Sequence, residues 1–198
     1  MILEIVKCGH PVLREKGKPI AAVTAEIRQL AADMIETMYA AKGVGLAAQQ
    51  VGRALMLAVI DVTASEQPST FLVDGALQNL EVRMPLVLVN PRLSNLRGEQ
   101  IGPEGCLSVP EVNTDIKRAA CVTVTAQTLD SVPLVFDGTG LLARAVQHEF
   151  DHLHGILFLD RMDAATRASY AGKIKKLQKE TQAKLAATVQ PRRRLVHR

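Results

Sequence analysis

The sequence predicts an α+β fold. Helical periodicity is confined to the early and late parts of the chain, strand-like runs cluster in the middle, and strands do not alternate with helices along it. A chain of 198 residues is sized for one domain with a real core. We place that domain at residues 1–189 and read Gln190–Arg198 as a basic, disordered tail.

The first element is an amphipathic helix over about Ala25–Ala41. Ile27, Leu30, Ala31, Met34, Ile35 and Met38 follow helical spacing, Thr24 stands as the N-cap, and Gly43-Val44-Gly45 ends the pattern. Leu55–Val62 is an apolar run of strand length. Phe71-Leu72-Val73 and Leu86-Val87-Leu88-Val89 read as strands, the latter stopped by Asn90-Pro91. Val122–Ala126 and Leu134-Val135-Phe136 add two more, and Asp137-Gly138-Thr139-Gly140 reads as a turn. A helix then runs from about Leu141 to His154 and stops at Gly155. The last helix, about Ala164–Ala187, carries Tyr170, Ile174, Leu177 and Leu185 on one stripe. This order sets the late helix against a sheet face, with a site between them.

Composition narrows the function classes. The apolar fraction of 47% fits a globular chain. No apolar run approaches the roughly 18 residues of a membrane span, and the N-terminus is too short and mixed for a signal peptide. We expect a cytoplasmic protein with neither a membrane nor DNA as partner. Three cysteines, an odd number, argue against a disulfide framework. Cys121, in a strand-like run, reads as a small buried hydrophobe. The net charge of +4 conceals a basic end: residues 171–198 hold nine Lys or Arg against one Glu, which leaves the body at net −4.

The chemistry is carried by His148-Glu149-Phe150-Asp151-His152. Histidines four apart share one helix face, so both imidazoles can reach one metal ion, with Glu149 beside it as a base. Backwards from His148 the same face passes through Ala145, Arg144 and Leu141, a largely apolar approach that suits a substrate pocket. A catalytic ion of this kind needs a third protein ligand and an open position. One protease class would place a third histidine six residues after His152, but Phe158 stands there and cannot bind a metal. Another would use a downstream glutamate, and only Glu180, in a Lys-rich stretch, is offered. Asp160 and Asp163 read as helix-terminus or surface acids. Cys106, in the constrained Gly- and Pro-flanked loop Pro103–Pro110, is the better third ligand, because a thiolate with two imidazoles leaves a fourth position for water.

Three segments then coincide. Gly43-Val44-Gly45-Leu46-Ala47-Ala48-Gln49-Gln50, Glu104-Gly105-Cys106-Leu107-Ser108 and His148-Glu149-Phe150-Asp151-His152 resemble, in order and spacing, the three signature motifs of the peptide deformylase family. The resemblance runs from about residue 5 to residue 180. It implies antiparallel sheets packed around a central helix bearing the histidine pair, plus a C-terminal helix. It also implies a hydrolase that removes the formyl group from the N-terminal formylmethionine of new polypeptides and releases formate. Cys106, His148 and His152 would hold one divalent ion, Fe(2+) in the cell, with Zn(2+), Ni(2+) or Co(2+) able to replace it. Glu149 would take a proton from water activated at the open position and pass it to the departing amine. Gln50 and the Leu107 backbone N–H would donate to the oxyanion. Val44, Gly45, Leu141, Arg144 and Ala145 would bind the substrate, with the Arg144 stem at the rim of the methionine pocket. A further expectation is an ion pair between Glu104 and Arg118 that braces the cysteine loop.

The chain departs from the family in places. Gln49 stands where proline is frequent, and Ala64–Pro85 is longer than in many members, which predicts an excursion near the substrate cleft. The basic C-terminal helix has two readings: its apolar stripe packs on the body and its lysines are solvated, or it docks on ribosomal RNA, where formylated chains emerge. The alternative to an enzyme is an inactive deformylase-like protein that binds ribosomes or peptides.

Overall fold

The computed structural model describes residues 1–189, so the expected tail at 190–198 lies outside the described residues. Seven antiparallel strands form the main sheet in the order β1-β2-β5-β8-β9-β3-β4, and β6 with β7 form a separate hairpin. The strands are β1 (Gly45–Ala47), β2 (Leu57–Ile60), β3 (Ser69–Val73), β4 (Ala76–Leu77), β5 (Leu86–Arg97), β6 (Gln100–Cys106), β7 (Val109–Arg118), β8 (Cys121–Gln127) and β9 (Pro133–Thr139). The helices are α1 (Ala25–Ala40), the single turn α2 (Leu80–Arg83), α3 (Gly140–Leu153) and α4 (Ala164–Val189).

Periodicity explains most elements. In β8, Val122, Val124 and Ala126 are buried while Thr125 and Gln127 face out, the alternation of a half-buried strand. The side chain of Thr24 caps α1 by accepting the Ile27 N–H. Apolar positions of α1 pack with Leu46, Leu57, Val59 and Val89. α3 is buried on two sides. Leu142, Ala143 and Val146 join Phe71, Val124 and Phe136 in the core on the main sheet, and Arg144 and His148 meet Glu104 of β6. Tyr170, Ile174 and Leu177 of α4 pack on a third cluster with Cys8, Val109, Ile116 and Phe158.

Four sequence expectations need correction. β5 does not stop at Asn90-Pro91 but continues to Arg97 through a register break between Val89 and Arg92. Asn90 takes φ +52, which asparagine tolerates, and proline is accommodated at such bulges. The Asn90 amide also exchanges two 2.8 Å bonds with the Ile20 backbone, which pins the bulge. Second, Asp137-Gly138-Thr139 is no turn: it is the end of β9, and α3 starts at once at Gly140. Gly140 has φ +60, and a Cβ there would collide with the Pro68 carbonyl. Third, Pro103–Cys106, read as part of a constrained loop, is the end of β6, with Leu107-Ser108 as the hairpin turn. Fourth, Cys121 is only half-buried, and Arg97 Nη2 approaches its Sγ to 3.1 Å.

Candidate metal centre

α3 and the β6–β7 turn aim their side chains at one point. The ligand atoms of Cys106, His148 and His152 all lie within 4.8 Å of one another. Cys106 Sγ is 3.3 Å from His152 Nε2. Tetrahedral sulfur and nitrogen ligands at about 2.3 and 2.1 Å from an ion stand roughly 3.5 Å apart, so this separation fits a shared cation. His148 Nδ1 is 3.0 Å from Glu104 Oε2, which leaves Nε2 for the cation. A carboxylate behind a ligating imidazole fixes its tautomer and orientation.

Burial and charge fit the same purpose. Burial holds His152 well below the ordinary histidine pKa, hence neutral, the state that ligates. For His148 burial works against the charged form, but hydrogen bonds to Cys106 and Glu104 outweigh it. A divalent cation would displace the proton that such a thiol–imidazole pair shares. Glu149 is fully buried, and that burial lifts its pKa to about 7. Its Oε2 has no hydrogen-bond partner among the described residues, and neither has His152 Nδ1. A buried carboxylate oxygen without a partner is costly unless water or a ligand meets it. The donor set and the free oxygen therefore suit a divalent ion with a reacting water.

A buried ionic network stands behind the ligands. Arg118 grips Glu104 with two bonds, Nε to Oε1 at 2.9 Å and Nη2 to Oε2 at 3.0 Å, and donates Nη1 to Asp151 Oδ2 at 2.5 Å. The expected Glu104–Arg118 pair is therefore present and fully enclosed. Asp151 in turn accepts from Arg161. Burial would raise the Glu104 pKa, yet the bonds from His148 and Arg118 hold it down at about 2. Gln147 accepts the Ala119 N–H and donates to the Ala119 and Ala143 carbonyls, tying α3 to the turn between β7 and β8.

A cavity of 510 Å³ opens onto the centre. Gly43, Val44, Gly45 and Gln50 line one side, Cys106, Leu107, Val112 and Asn113 another, and Leu141, Arg144, Ala145, His148 and Glu149 the floor. The structure thus gathers all the sequence-predicted residues at one place, with His152 buried behind the cavity. Gln50 Oε1 accepts the Ala47 N–H at 2.8 Å, so its amide is oriented with Nε2 towards Cys106 Sγ, 3.6 Å away. Gly45 presses on Glu149: a Cβ there would stand 2.9 Å from Glu149 Cδ and closer still to Oε1. Arg144 is not a rim residue. It is buried, and its guanidinium binds Glu104 Oε1 and the Ile116 carbonyl, both at 2.8 Å. The excursion at 64–85 contributes no residue to this cavity. Its root, Pro68 and Ser69, instead accepts the Leu141 and Leu142 N–H groups at the start of α3. A second cavity, of 620 Å³, touches another face of α3 and is lined by Arg118 but by none of the predicted metal, catalytic or substrate-binding residues.

Sequence reading missed the roles of Asp151 and Arg161, the Val112–Asn113 wall, and the N-terminal segment that reaches the cysteine turn. An acid inside the histidine motif was the one signal that could have pointed to Asp151.

The polypeptide deformylase family profile matches residues 2–168. The chain belongs to that family. A curated peptide deformylase of Methylacidiphilum infernorum is 44% identical over 179 residues, 90% of this chain and 94% of the relative. One from Opitutus terrae is 42% identical, covering 96% of this chain and 100% of its own. Among solved structures, a peptide deformylase from Legionella pneumophila superposes with a TM-score of 0.76 at 36% identity, covering 92% of this chain and 98% of its own. The α+β architecture of antiparallel sheets with a C-terminal helix is the one these deformylases share. Deformylases are metal-dependent hydrolases, and this one has a Cys/His/His site able to hold the ion.

Proposed function

We propose that this enzyme hydrolyses the formyl group from the N-terminal formylmethionine of newly made polypeptides and releases formate. One observation carries the reading: a Cys106/His148/His152 donor set beside a buried Glu149 with an unpartnered oxygen, at the floor of a cavity. In this reading residues 1–189 are one catalytic domain, and α3 is the family's central helix with the histidine pair. Cys106, His148 and His152 hold the divalent ion, Fe(2+) in the cytoplasm and replaceable by Zn(2+), Ni(2+) or Co(2+). That ion supplies a Lewis acid and a lowered pKa for water at the open position.

Glu149 takes the proton of the attacking water and delivers it to the amine that leaves, a role suited to a carboxylate lifted to about 7. Gln50 Nε2 and the Leu107 N–H donate to the oxyanion of the tetrahedral intermediate, each worth about 3 kcal/mol of barrier. The substrate backbone lies along Gly43–Gly45 as an added strand, where the free edge of β1 accepts pairing. Its methionine side chain enters between Val44, Leu141 and Ala145, and Arg144 forms the wall behind them. The basic α4 docks the enzyme on ribosomal RNA near emerging chains, and deleting residues 171–198 should weaken salt-dependent ribosome binding. The decisive assay is formate release from a formyl-Met tripeptide with Fe(II) under anaerobic conditions. Steady release supports the reading, and none defeats it.

A further inference from the structure

Both oxyanion donors sit on segments that the N-terminal chain ties together. The Val6 N–H donates to the Gln50 carbonyl at 2.9 Å, and the Cys8 N–H donates to the Ser108 carbonyl at 2.8 Å. Between them, the Lys7 ammonium donates to the Leu107 carbonyl at 2.8 Å, across 100 residues of sequence. Three consecutive residues thus span the Gln50 turn and the Leu107-Ser108 turn. The two outer bonds use backbone N–H groups that almost any residue supplies. The middle one depends on a side chain long enough, and a donor strong enough, to reach a carbonyl at the hairpin tip.

The tip needs such a tie. The β6–β7 ladder breaks register between Gly105 and Cys106, and beyond the break a single pair, Cys106 with Val109, closes the turn. Leu107 also leans on the opposite wall, its Cδ1 standing 2.9 Å from where a Gly43 Cβ would be. A turn free to rock would move a proposed oxyanion donor and a cavity wall together. Errors of an ångström in such donors cost large factors in rate.

We propose that Lys7 is a positioning residue: its bond to the Leu107 carbonyl sets the angle at which the Leu107 N–H meets the oxyanion. The inference rests on the reading of Gln50 and Leu107 as oxyanion donors. The test compares Lys7→Met, Lys7→Arg and Gln50→Ala with the parent, all metal-loaded, on a formyl-Met tripeptide. Metal content and hydrogen exchange of the Cys8 amide, which donates to the Ser108 carbonyl of the turn, are measured alongside. Lys7→Met should lower kcat about tenfold, a fraction of the hundredfold or more that loss of a whole donor costs, with KM within about twofold and metal content unchanged. Exchange of the Cys8 N–H should quicken, and Lys7→Arg should restore most of kcat and the slow exchange. A parent-like kcat in Lys7→Met overturns the inference. So does a fall matched by lost metal, or a fall with exchange unchanged. Gln50→Ala separates the two levels. If it lowers kcat while Lys7→Met does not, only the role of Lys7 fails. If Gln50→Ala keeps the parent kcat, the oxyanion reading fails and carries the inference with it.

Discussion

Glu149 has no ion-pair partner among the described residues, and its neighbours fix it by contact. Gly45 leaves just enough room for the carboxylate, so Gly45→Ala should push it aside. We expect kcat to fall by about tenfold or more with metal content kept, since misplacement by 1 Å is costly. Glu149→Ala should likewise retain metal but lose about 10² to 10⁴ in kcat, the usual worth of a general base. Cys106→Ala should instead lose metal, visible by elemental analysis before any assay. A Glu149→Ala variant that kept full activity would remove that residue from the mechanism.

At the scale of elements, β6, β7 and α3 are joined by charge as much as by packing. Removing one partner of a buried pair leaves the other charge stranded, at a typical cost of 3–5 kcal/mol. Arg118→Met takes two bonds from Glu104 and one from Asp151 while Arg144, His148 and Arg161 still hold these acids, and should destabilise by about 3 kcal/mol, the lower end of that range, in urea unfolding. A loss under about 1 kcal/mol, the scale of exposed pairs, would mean that water enters the network. A second link joins the short 3-10 turn Pro11–Arg14 to the one at Phe158–Asp160, through Arg14 and Asp160. Burial favours the neutral acid at Asp160, but hydrogen bonds from Arg14 and the Leu157 N–H win and lower its pKa. Folding therefore favours the ionised form. Its stabilisation is complete above the ordinary carboxylate value of about 3.9 and fades as pH falls towards the lower folded value. Asp160→Asn should cost stability at pH 7, and the gap to the parent should narrow below about pH 4. A gap constant with pH would contradict this. The elements differed in how far sequence revealed them. α1, α3 and α4 were legible because their apolar stripes repeat along the chain. The β6–β7 hairpin was not, since Gly102, Pro103 and Gly105 interrupt its pattern. The candidate metal ligands, which the fold brings together, could be read from residue chemistry and motif order. The network could not: its partners lie 14, 33, 40 and 44 residues apart, and only folding brings them together.

For the whole molecule, the ion itself is part of stability. A ligand that binds only the folded chain adds about 2.7 kcal/mol at one hundred times its Kd. Chelation should therefore lower Tm, and re-addition of Fe(II) or Zn(II) should restore it. A Tm indifferent to chelation would argue against a site formed by Cys106, His148 and His152. The excursion at 64–85 has two unlike ends. Its root holds the first N–H groups of α3, and Thr70 and Thr139 share a 2.6 Å hydroxyl bond there. Its far end turns at Asp74-Gly75, with nothing within 4 Å of a Gly75 Cβ and Leu77 and Val82 largely exposed. Foreign sequence spliced between Asp74 and Gly75 would therefore hang outside the working parts, making that turn a natural port for an epitope or a dye while Pro68 and Ser69 stay untouched.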